Sequence, residues 1–195
     1  RQDFLYPNPA SVLAFIENHD TDRFLGEGDN LPMLKQASTL LLTTRRIPQL
    51  YYGTEVMMNG VKSKSDGYVR KDFPGGWTGD ATNALTPAGR TKIQNECYDF
   101  YKTILNWRKG NDVIAKGSMV QFMVQNGVYA YARQYEGKTI FVMLNGTDAE
   151  TTVPLKFYKE ILKNSKQGKD ILSGKAITFG EELKMGPRES LVIEL

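Results

Sequence analysis

The spacing of apolar residues changes near residue 111, and this change limits the fold more than any other feature of the sequence. Residues 12–16 form a nearly continuous apolar run, which is typical of a strand covered on both faces. Residues 32–46 carry apolar side chains at helical spacing, and residues 47–52 form a second short run. Thr86-Pro87 predicts the start of a second long helix. The order strand, helix, strand, long connection, helix is typical of an α/β fold.

Beyond residue 111 the apolar residues alternate with polar ones, which predicts antiparallel strands with one buried face. Asn126-Gly127 lies between two alternating runs and is a strong signal for a hairpin turn. Residues 157–163 form either a strand or one helical turn. We therefore expect an all-β antiparallel sandwich over residues 111–195, preceded by a separate domain of residues 1–110.

Two strand-helix units cannot close a sheet by themselves. A (β/α)8 barrel needs eight such units and about 250 residues, and a two-stranded parallel sheet leaves its edges without partners. We therefore expect residues 1–110 to be the last two βα units of a partial (β/α)8 TIM barrel. The chain also opens on Arg-Gln-Asp-Phe-Leu without an initiator Met. Upstream residues of a longer parent chain are accordingly the first expected partner.

The composition narrows the kinds of partner and site. The chain has 25 basic and 22 acidic side chains, and this near balance does not favour a nucleic-acid partner. No run approaches the roughly 18 consecutive apolar residues of a membrane span. A single Cys excludes an internal disulfide, and a single His excludes a site with several imidazole ligands. We expect an uncharged or small ligand.

The densest group of polar, chemically capable side chains follows the first predicted strand and contains Asn18, His19, Asp20 and Arg23. The carboxyl ends of parallel strands are where α/β folds place their sites. In a catalytic interpretation Asp20 supplies a charge, His19 a hydrogen bond, and Arg23 positions the carboxylate. The alternative is that the aspartates begin a loop while His19 has only a structural hydrogen bond. The residues alone leave both interpretations open.

Residues 15–20 followed by Arg23, and residues 47–55, form two motifs in a fixed order. They resemble the signatures on the seventh and eighth strands of the α-amylase family of glycoside hydrolases (glycoside hydrolase family 13). The alternating second half resembles the family's C-terminal β-domain, so the resemblance covers essentially the whole chain. Residues 72–77, Asp-Phe-Pro-Gly-Gly-Trp, are similar to the neopullulanase and cyclomaltodextrinase branch.

The resemblance implies a role for each residue of the first motif. Asp20 matches the family's third catalytic carboxylate, which binds hydroxyls of the sugar ring being cleaved and helps to distort that ring. His19 matches the neighbouring residue that hydrogen-bonds the same sugar, and Asn18 and Arg23 resemble substrate-site residues that orient this pair. Hydrogen bonds that strengthen as positive charge develops on the ring favour the transition state over the substrate.

The resemblance also implies an activity. The family members in question are retaining glycosidases acting on α-1,4-glucans such as starch and maltooligosaccharides, with pullulan and cyclodextrins as further candidates. Such enzymes need a nucleophile and a general acid about 5 to 5.5 Å apart, and in this family both lie on earlier strands whose motifs are not in this sequence. Glu55 is no substitute, because the family has a structural residue there. We expect the parent protein to be an enzyme and these residues alone to be inactive.

Further side chains near the motifs have competing interpretations. Trp77 lies in a glycine-rich loop and is predicted to offer a flat apolar face to a sugar, with core packing as the alternative. Tyr51 and Tyr52 lie in a predicted strand and are expected to pack in the core. Some relatives bind calcium, but Asp66 and Asp72 do not make a cage. We therefore expect neither a metal nor a cofactor.

Two other functions fit parts of the sequence. The β-sandwich could be a non-catalytic carbohydrate-binding or interaction module, with residues 1–110 as its scaffold. A Ser-based triad that includes His19 and Asp20 is disfavoured, because no Gly-x-Ser-x-Gly motif is present. A homo-oligomer formed through the open edge of the two-stranded sheet is a further hypothesis about partners.

Overall fold

The computed structural model describes residues 3–195. Its chain forms two compact units, and each is described by itself. The first contains the residues up to Leu41 together with Arg46–Lys102, and the second contains Leu42–Arg45 and Thr103–Leu195. The domain boundary expected near residues 110–112 stays a prediction.

Among the described residues up to 111, more lie in helices than in strands. Strands β1 and β2 pair in parallel, with Leu13 opposite Ile47 and Ala14 opposite Pro48. A helix connects them, as the sequence predicts. The elements are β1 (Leu13–Ala14), α1 (Leu31–Thr43), β2 (Ile47–Pro48), α2 (Asp66–Val69) and α3 (Lys92–Arg108), with 3₁₀ turns at Asp3–Leu5, Pro9–Ser11, Thr54–Val56 and Pro87–Gly89.

The two parallel strands are shorter and more exposed than the sequence predicts. Leu13 is 52% exposed, Phe15 44% and Ile47 50%. The expectation of a strand buried on both faces is therefore wrong for the described residues. The physical reason is that β1 and β2 form a sheet of only two strands here, which leaves their faces open to solvent.

Helices α1 and α3 meet through one buried polar contact within the first unit. The hydroxyls of Ser38 and Tyr101 lie 2.5 Å apart, which satisfies two polar groups that burial would otherwise leave costly. Burial of this phenol is also the main reason that its pKa is raised.

Helix α3 begins later than Thr86-Pro87 predicts. The Thr86 hydroxyl instead accepts a hydrogen bond from Gly89 N at 3.3 Å and caps a 3₁₀ turn. The helix is started by Thr91 and Gln94: the Thr91 hydroxyl accepts from Gln94 N at 3.3 Å, and the Gln94 side chain accepts from Thr91 N at 2.9 Å. This reciprocal pair is a capping box, and it determines where the helix starts.

The second unit is built on antiparallel sheets, as the sequence predicts. A six-stranded sheet has the order β3-β4-β5-β10-β7-β8, and β6 pairs with β9 in a separate two-stranded sheet. The elements are α4 (Asp112–Lys116), β3 (Ser118–Gln121), β4 (Val128–Tyr135), β5 (Lys138–Asn145), β6 (Thr151–Pro154), α5 (Lys159–Leu162), β7 (Gln167–Asp170), β8 (Ala176–Thr178), β9 (Glu182–Met185) and β10 (Ser190–Glu194), with a 3₁₀ turn at Leu155–Tyr158.

The six-stranded sheet buries both of its faces. On one face Phe141 and Ile193 pack with Val153 and Met185 of the smaller sheet. On the other face Val142 and Val192 form a core cluster with residues of α4, including Ile114. Residues 157–163 contain the helical turn that the sequence left open as an alternative to a strand.

The Asn126-Gly127 turn is confirmed. Asn126 and Gly127 both have positive φ, at 50° and 78°, as a type I′ turn requires. Gln125 and Val128 exchange two backbone hydrogen bonds across it, at 3.0 and 2.8 Å. In the part of the chain that the structure describes, no helix has the length and apolar character needed to cross a bilayer.

Candidate functional site

The loop after β1 is shaped by the side chain of Asn18. Its Oδ1 accepts a hydrogen bond from Asp20 N at 2.8 Å, and the Thr21 hydroxyl accepts one from Asn18 N at 3.1 Å. This is an Asx-type turn, in which a side chain replaces backbone bonds that a strand or helix would make. Asn18 is half-buried, and its observed contacts are with the loop rather than with His19.

His19 and Asp20 stand at the surface of this turn. Their side chains are 58% and 59% exposed, and His19 Nε2 lies 3.2 Å from Asp20 Oδ2. The structure therefore brings together the two residues that the sequence predicts to act on the same sugar. A carboxylate with this exposure retains lone pairs that can accept hydrogen bonds from a ligand.

Arg70 contacts both residues from the other side, although neither sequence motif contains it. Its Nη2 lies 3.0 Å from Asp20 Oδ1, and its Nε donates to the His19 carbonyl oxygen at 2.9 Å. Arg70 lies far along the chain, after α2. Its four-residue spacing from Asp66, which it also contacts at 3.5 Å, is the only signal in the sequence, and that spacing points to a helix pair rather than to Asp20.

Lys62 adds a second cation to this surface. Its Nζ donates to the Asp20 carbonyl oxygen at 3.0 Å and lies 3.6 Å from Asp66 Oδ1. Its backbone N–H donates to Asp22 Oδ1 at 2.5 Å. The loop after β1 is therefore attached to the segment before and within α2 by charged contacts, and these contacts orient Asp20.

Arg23 lies beneath the loop and is 1% exposed. Its Nη1 donates to the Tyr52 carbonyl oxygen at 2.7 Å and lies 3.4 Å from Glu17 Oε1, while its Nε donates to the Val69 carbonyl oxygen at 3.1 Å. The guanidinium carbon also lies 3.9 Å from the centre of the Tyr51 ring. Arg23 is thus held beneath the loop by contacts within the chain, and from this position its buried side chain can support the loop but offers no surface to a ligand.

Glu17 completes the support and was not singled out from the sequence. It is 2% exposed, and its carboxylate accepts hydrogen bonds from Phe24 N at 2.5 Å and from the Thr54 hydroxyl. Glu17 and Arg23 thus join the loop after β1 to the segment after β2. A buried ion pair needs such additional partners to offset the loss of hydration.

The two tyrosines differ from their prediction. Strand β2 ends at Pro48, so neither residue lies in a strand. Tyr52 is 42% exposed and donates to the Lys71 carbonyl oxygen at 2.6 Å. Tyr51 is half-buried over Arg23, and desolvation is the main reason that its pKa is raised. They flank the buried Arg23 rather than fill a core.

The Trp77 side chain is 70% exposed, whereas that of Trp107 is half-buried. The structure thus favours presentation of its ring over core packing, and its proposed contact with sugar stays a prediction. Cys97 is buried, and burial raises its pKa to about 12, which disfavours the reactive thiolate. Within residues 3–195, no group of three or more His, Cys, Asp or Glu side chains is arranged to hold a metal ion.

Comparison with known proteins shows what this chain is similar to. Residues 119–194 match the model of the cyclo-malto-dextrinase C-terminal domain. The chain is 31% identical over 183 residues to an α-amylase of Niallia circulans and 31% identical over 184 residues to a cyclomaltodextrin glucanotransferase of Thermoanaerobacterium thermosulfurigenes. Each match covers 90% of this chain, but only 30% and 22% of the respective relatives. The chain therefore spans less than a third of the curated relatives that it matches.

Solved structures agree at the level of the fold. The structure of an Anoxybacillus α-amylase matches with a TM-score of 0.78 and 20% identity, over 100% of this chain and 40% of that one. An α-amylase from Geobacillus thermoleovorans, solved with acarbose, matches with a TM-score of 0.74 and 23% identity, over 97% of this chain and 40% of that one. The resemblance predicted from the two motifs is confirmed: the chain is similar to α-amylases and cyclomaltodextrin glucanotransferases, and its residues 119–194 match the model of the cyclo-malto-dextrinase C-terminal domain.

Proposed function

We propose that this chain is the C-terminal part of a retaining glycoside hydrolase of the α-amylase type that acts on α-1,4-glucans. Starch and maltooligosaccharides are the principal substrates, with pullulan and cyclodextrins as further candidates. The observation that carries the proposal is the exposed carboxylate of Asp20, held on a fixed turn that follows a parallel strand. Relatives are named α-amylase and cyclomaltodextrin glucanotransferase, and one solved neighbour is a complex with acarbose.

The geometry suits Asp20 to a role in binding and distorting the sugar. Its two carboxylate oxygens lie near His19 and Arg70, at 3.2 and 3.0 Å, and remain largely exposed. The hydrogen bond that a sugar hydroxyl donates to this carboxylate becomes stronger as positive charge develops on the ring. The contact therefore stabilises the transition state more than the bound substrate. In this proposal His19 adds a hydrogen bond to the same ring, Asn18 and Arg23 orient the pair, and Trp77 stacks on the glucan.

A partial (β/α)8 barrel is the proposed setting of this site. Three features support it: the parallel pairing of β1 with β2, the helix that connects them, and the exposure of Leu13, Phe15 and Ile47. In a complete barrel, neighbouring strands and a packed interior cover such side chains. We propose that upstream residues of the parent chain supply them, together with the nucleophile and the general acid.

The test compares two polypeptides. The complete protein is expected to release reducing ends from soluble starch and to retain the α-configuration in its product, which NMR of the anomeric proton reports. Residues 1–195 alone are expected to show no turnover above buffer. Hydrolysis by residues 1–195, or a complete protein that cleaves no α-glucan, contradicts the proposal.

A second candidate function, a non-catalytic carbohydrate-binding module, is favoured by one observation on the second unit. A cavity of about 600 Å³ is lined there by residues that include Trp107, Tyr135 and Glu194. The Trp107 ring nitrogen donates to Glu194 Oε1 at 2.7 Å. Aromatic faces beside a few polar groups are the usual lining of a small-ligand site.

NMR titration of the 195-residue chain with maltohexaose separates the two candidates. Shifts that centre on the second unit and disappear in Tyr135→Ala, but persist in Trp77→Ala, support the module. Shifts that centre on His19 and Asp20 support the glycosidase site instead. Shifts that persist in both variants would indicate binding that depends on neither surface.

A further inference from the structure

The glycine-rich turn that carries Trp77 is closed by a single carboxylate oxygen. Asp80 Oδ2 accepts hydrogen bonds from three successive backbone amides, those of Gly75 at 2.8 Å, Gly76 at 2.9 Å and Trp77 at 3.0 Å. The Asp80 amide in turn donates to the Trp77 carbonyl oxygen at 3.2 Å. Successive N–H groups that converge on one anion form a nest, a geometry that fixes the backbone it comprises.

The backbone around the turn is also restricted by close packing. Gly75 has φ +104°, and a Cβ at this position would lie 2.4 Å from the Cα of Asn83. The Ala84 amide donates to the Pro74 carbonyl oxygen at 2.9 Å, which joins the two ends of the segment. Glycine at position 75 is therefore needed for the shape of the turn. The large apolar side chain of Trp77 projects from this turn into solvent.

The fixed turn presents a large aromatic side chain to solvent, since the Trp77 indole is 70% exposed. An indole held in one place loses little further freedom when a flat apolar face stacks on it, so a fixed turn increases affinity. The turn also lies close to the candidate site along the chain. Trp77 follows Arg70, which contacts Asp20, by seven residues, a span of at most about 25 Å for an extended chain.

We propose that Asp80 is a positioning residue that holds Trp77 as a preformed stacking surface for a glucosyl ring of an α-glucan bound at Asp20. This inference rests on the proposed function and extends it to a residue that neither motif contains. Asp80 does not touch the sugar. It acts through the three amides, and its removal leaves the indole in place but mobile.

If the ionised Asp80 carboxylate holds the turn, the order of the turn should depend on pH. A side chain that acted only by filling space would give no such pH dependence. The amides of Trp77, Gly75 and Gly76 hold the pKa of the Asp80 carboxyl below its ordinary value, since they stabilise the ionised form. Because the folded-state pKa is lowered, the nest is intact above the ordinary Asp range and is lost as the pH falls through the lowered value.

The first experiment reports on the turn without any ligand. The chain has two Trp residues, so Trp107→Phe leaves Trp77 as the single Trp, and excitation at the red edge of the absorption band selects it over the tyrosines. In that background Asp80→Ala is expected to lower the fluorescence anisotropy of Trp77 and to abolish its acidic pH transition. Asp80→Asn is expected to keep part of the Trp77 anisotropy, because the amide oxygen can still accept hydrogen bonds, but to show no acidic pH transition, because an amide does not titrate. Asp99→Asn, which removes an exposed charge from α3, is the matched control and is expected to change neither.

The second experiment uses the complete protein and maltohexaose. Asp80→Ala is expected to raise KM about 2- to 10-fold with little change in kcat. This range is the affinity lost when one mobile side chain must be ordered on binding. Trp77→Ala is expected to raise KM at least as much, and the double variant no further, since Asp80 acts only through Trp77.

The possible results are distinguishable. Unchanged anisotropy in Asp80→Ala overturns the positioning role. Changed anisotropy with an unchanged KM in both single variants overturns the stacking role. A complete protein that is inactive on every α-glucan refutes the proposed function instead, and the anisotropy result then still reports on the turn by itself.

Discussion

Asp20 and Arg23 lie three residues apart and have opposite environments. The Asp20 side chain is 59% exposed, whereas Arg23 is 1% exposed and is held by Glu17 and by two backbone carbonyl groups. Such a division is expected of a binding site, in which an exposed group needs rigid support from groups that the ligand never meets. The ion pair below the loop should therefore matter for stability, and the carboxylate above it for function.

Arg23→Met is expected to lower the free energy of unfolding by about 3–5 kcal/mol, because it leaves the Glu17 carboxylate buried without its cation. Urea unfolding followed by circular dichroism measures the change. The double variant Glu17→Gln, Arg23→Met is expected to be less destabilised than the sum of the two single variants, since it leaves no unpaired charge. A loss below about 1 kcal/mol for Arg23→Met would show that the pair contributes little.

The sequence singles out the loop residues after β1 and Arg23 beneath them, but not the other residues that hold this loop. Asn18, His19 and Asp20 follow an apolar run, and that position is visible in the chain. Arg70 is not, because its contact with Asp20 spans 50 residues and depends on how the connection after β2 folds back. Asp80 was missed for a different reason: its bonds go to backbone amides, which leave no side-chain pattern to recognise.

At the scale of elements, local signals predicted the alternating strands and the Asn126-Gly127 turn more reliably than the start of α3 or the lengths of β1 and β2. The alternating pattern after residue 111 and the Asn126-Gly127 turn both correspond to observed structure. The start of α3 was misplaced because Thr86-Pro87 and Thr91 both resemble helix caps, and only Thr91 has Gln94 as a reciprocal partner. The lengths of β1 and β2 depend on neighbouring strands, which a local pattern cannot supply.

Gly127 lies in the Asn126-Gly127 turn, and Gly137 lies in the turn that connects β4 and β5. Gly127→Ala and Gly137→Ala form a matched test of these two turns. Both glycines have positive φ, at 78° and 77°, but a Cβ at Gly127 would lie 2.4 Å from Thr147 Cγ2, whereas no atom lies within 4 Å at Gly137. Gly137→Ala should therefore cost about 1–2 kcal/mol of stability from backbone strain alone. Gly127→Ala should cost more, since the Thr147 hydroxyl is held by Asn145 at 2.8 Å and its methyl cannot move freely.

Thermal and urea unfolding of both variants measures these losses. Equal losses would show that the Thr147 methyl group can move away from the new Cβ without lowering stability. A loss in neither variant would show that the positive φ of these turns carries no strain for alanine.

At the scale of the whole molecule, the two units differ in how fully they bury their sheets. The six-stranded sheet has core residues on both faces, as the alternating pattern predicts. The parallel pair β1 and β2 has exposed apolar side chains instead. The continuous apolar runs correctly predicted the parallel pairing of β1 and β2. Burial of a strand depends on its neighbours, and in the part of the chain that the structure describes these two strands pair only with each other.

The exposed side chains beside β1 and β2 predict self-association of the isolated chain. Sedimentation velocity over a range of concentrations is expected to show a growing population of oligomers, because open strand edges and apolar side chains pair readily. Leu13→Lys with Ile47→Lys should shift the distribution to monomer. Met123→Lys, at a residue that is 83% exposed in the second unit, is the control and should not. A monomer at every concentration would contradict this prediction.

The most direct test of the site is the effect of Asp20→Asn in the complete protein. The substitution keeps the size of the side chain and removes its charge, so any loss reports on the carboxylate itself. We expect kcat/KM for maltohexaose to fall at least about 100-fold, because contacts that form with the transition state are lost, while Asp99→Asn retains the activity of the unaltered protein. Retention of full activity by Asp20→Asn would show that this carboxylate is not part of a glucan-cleaving site.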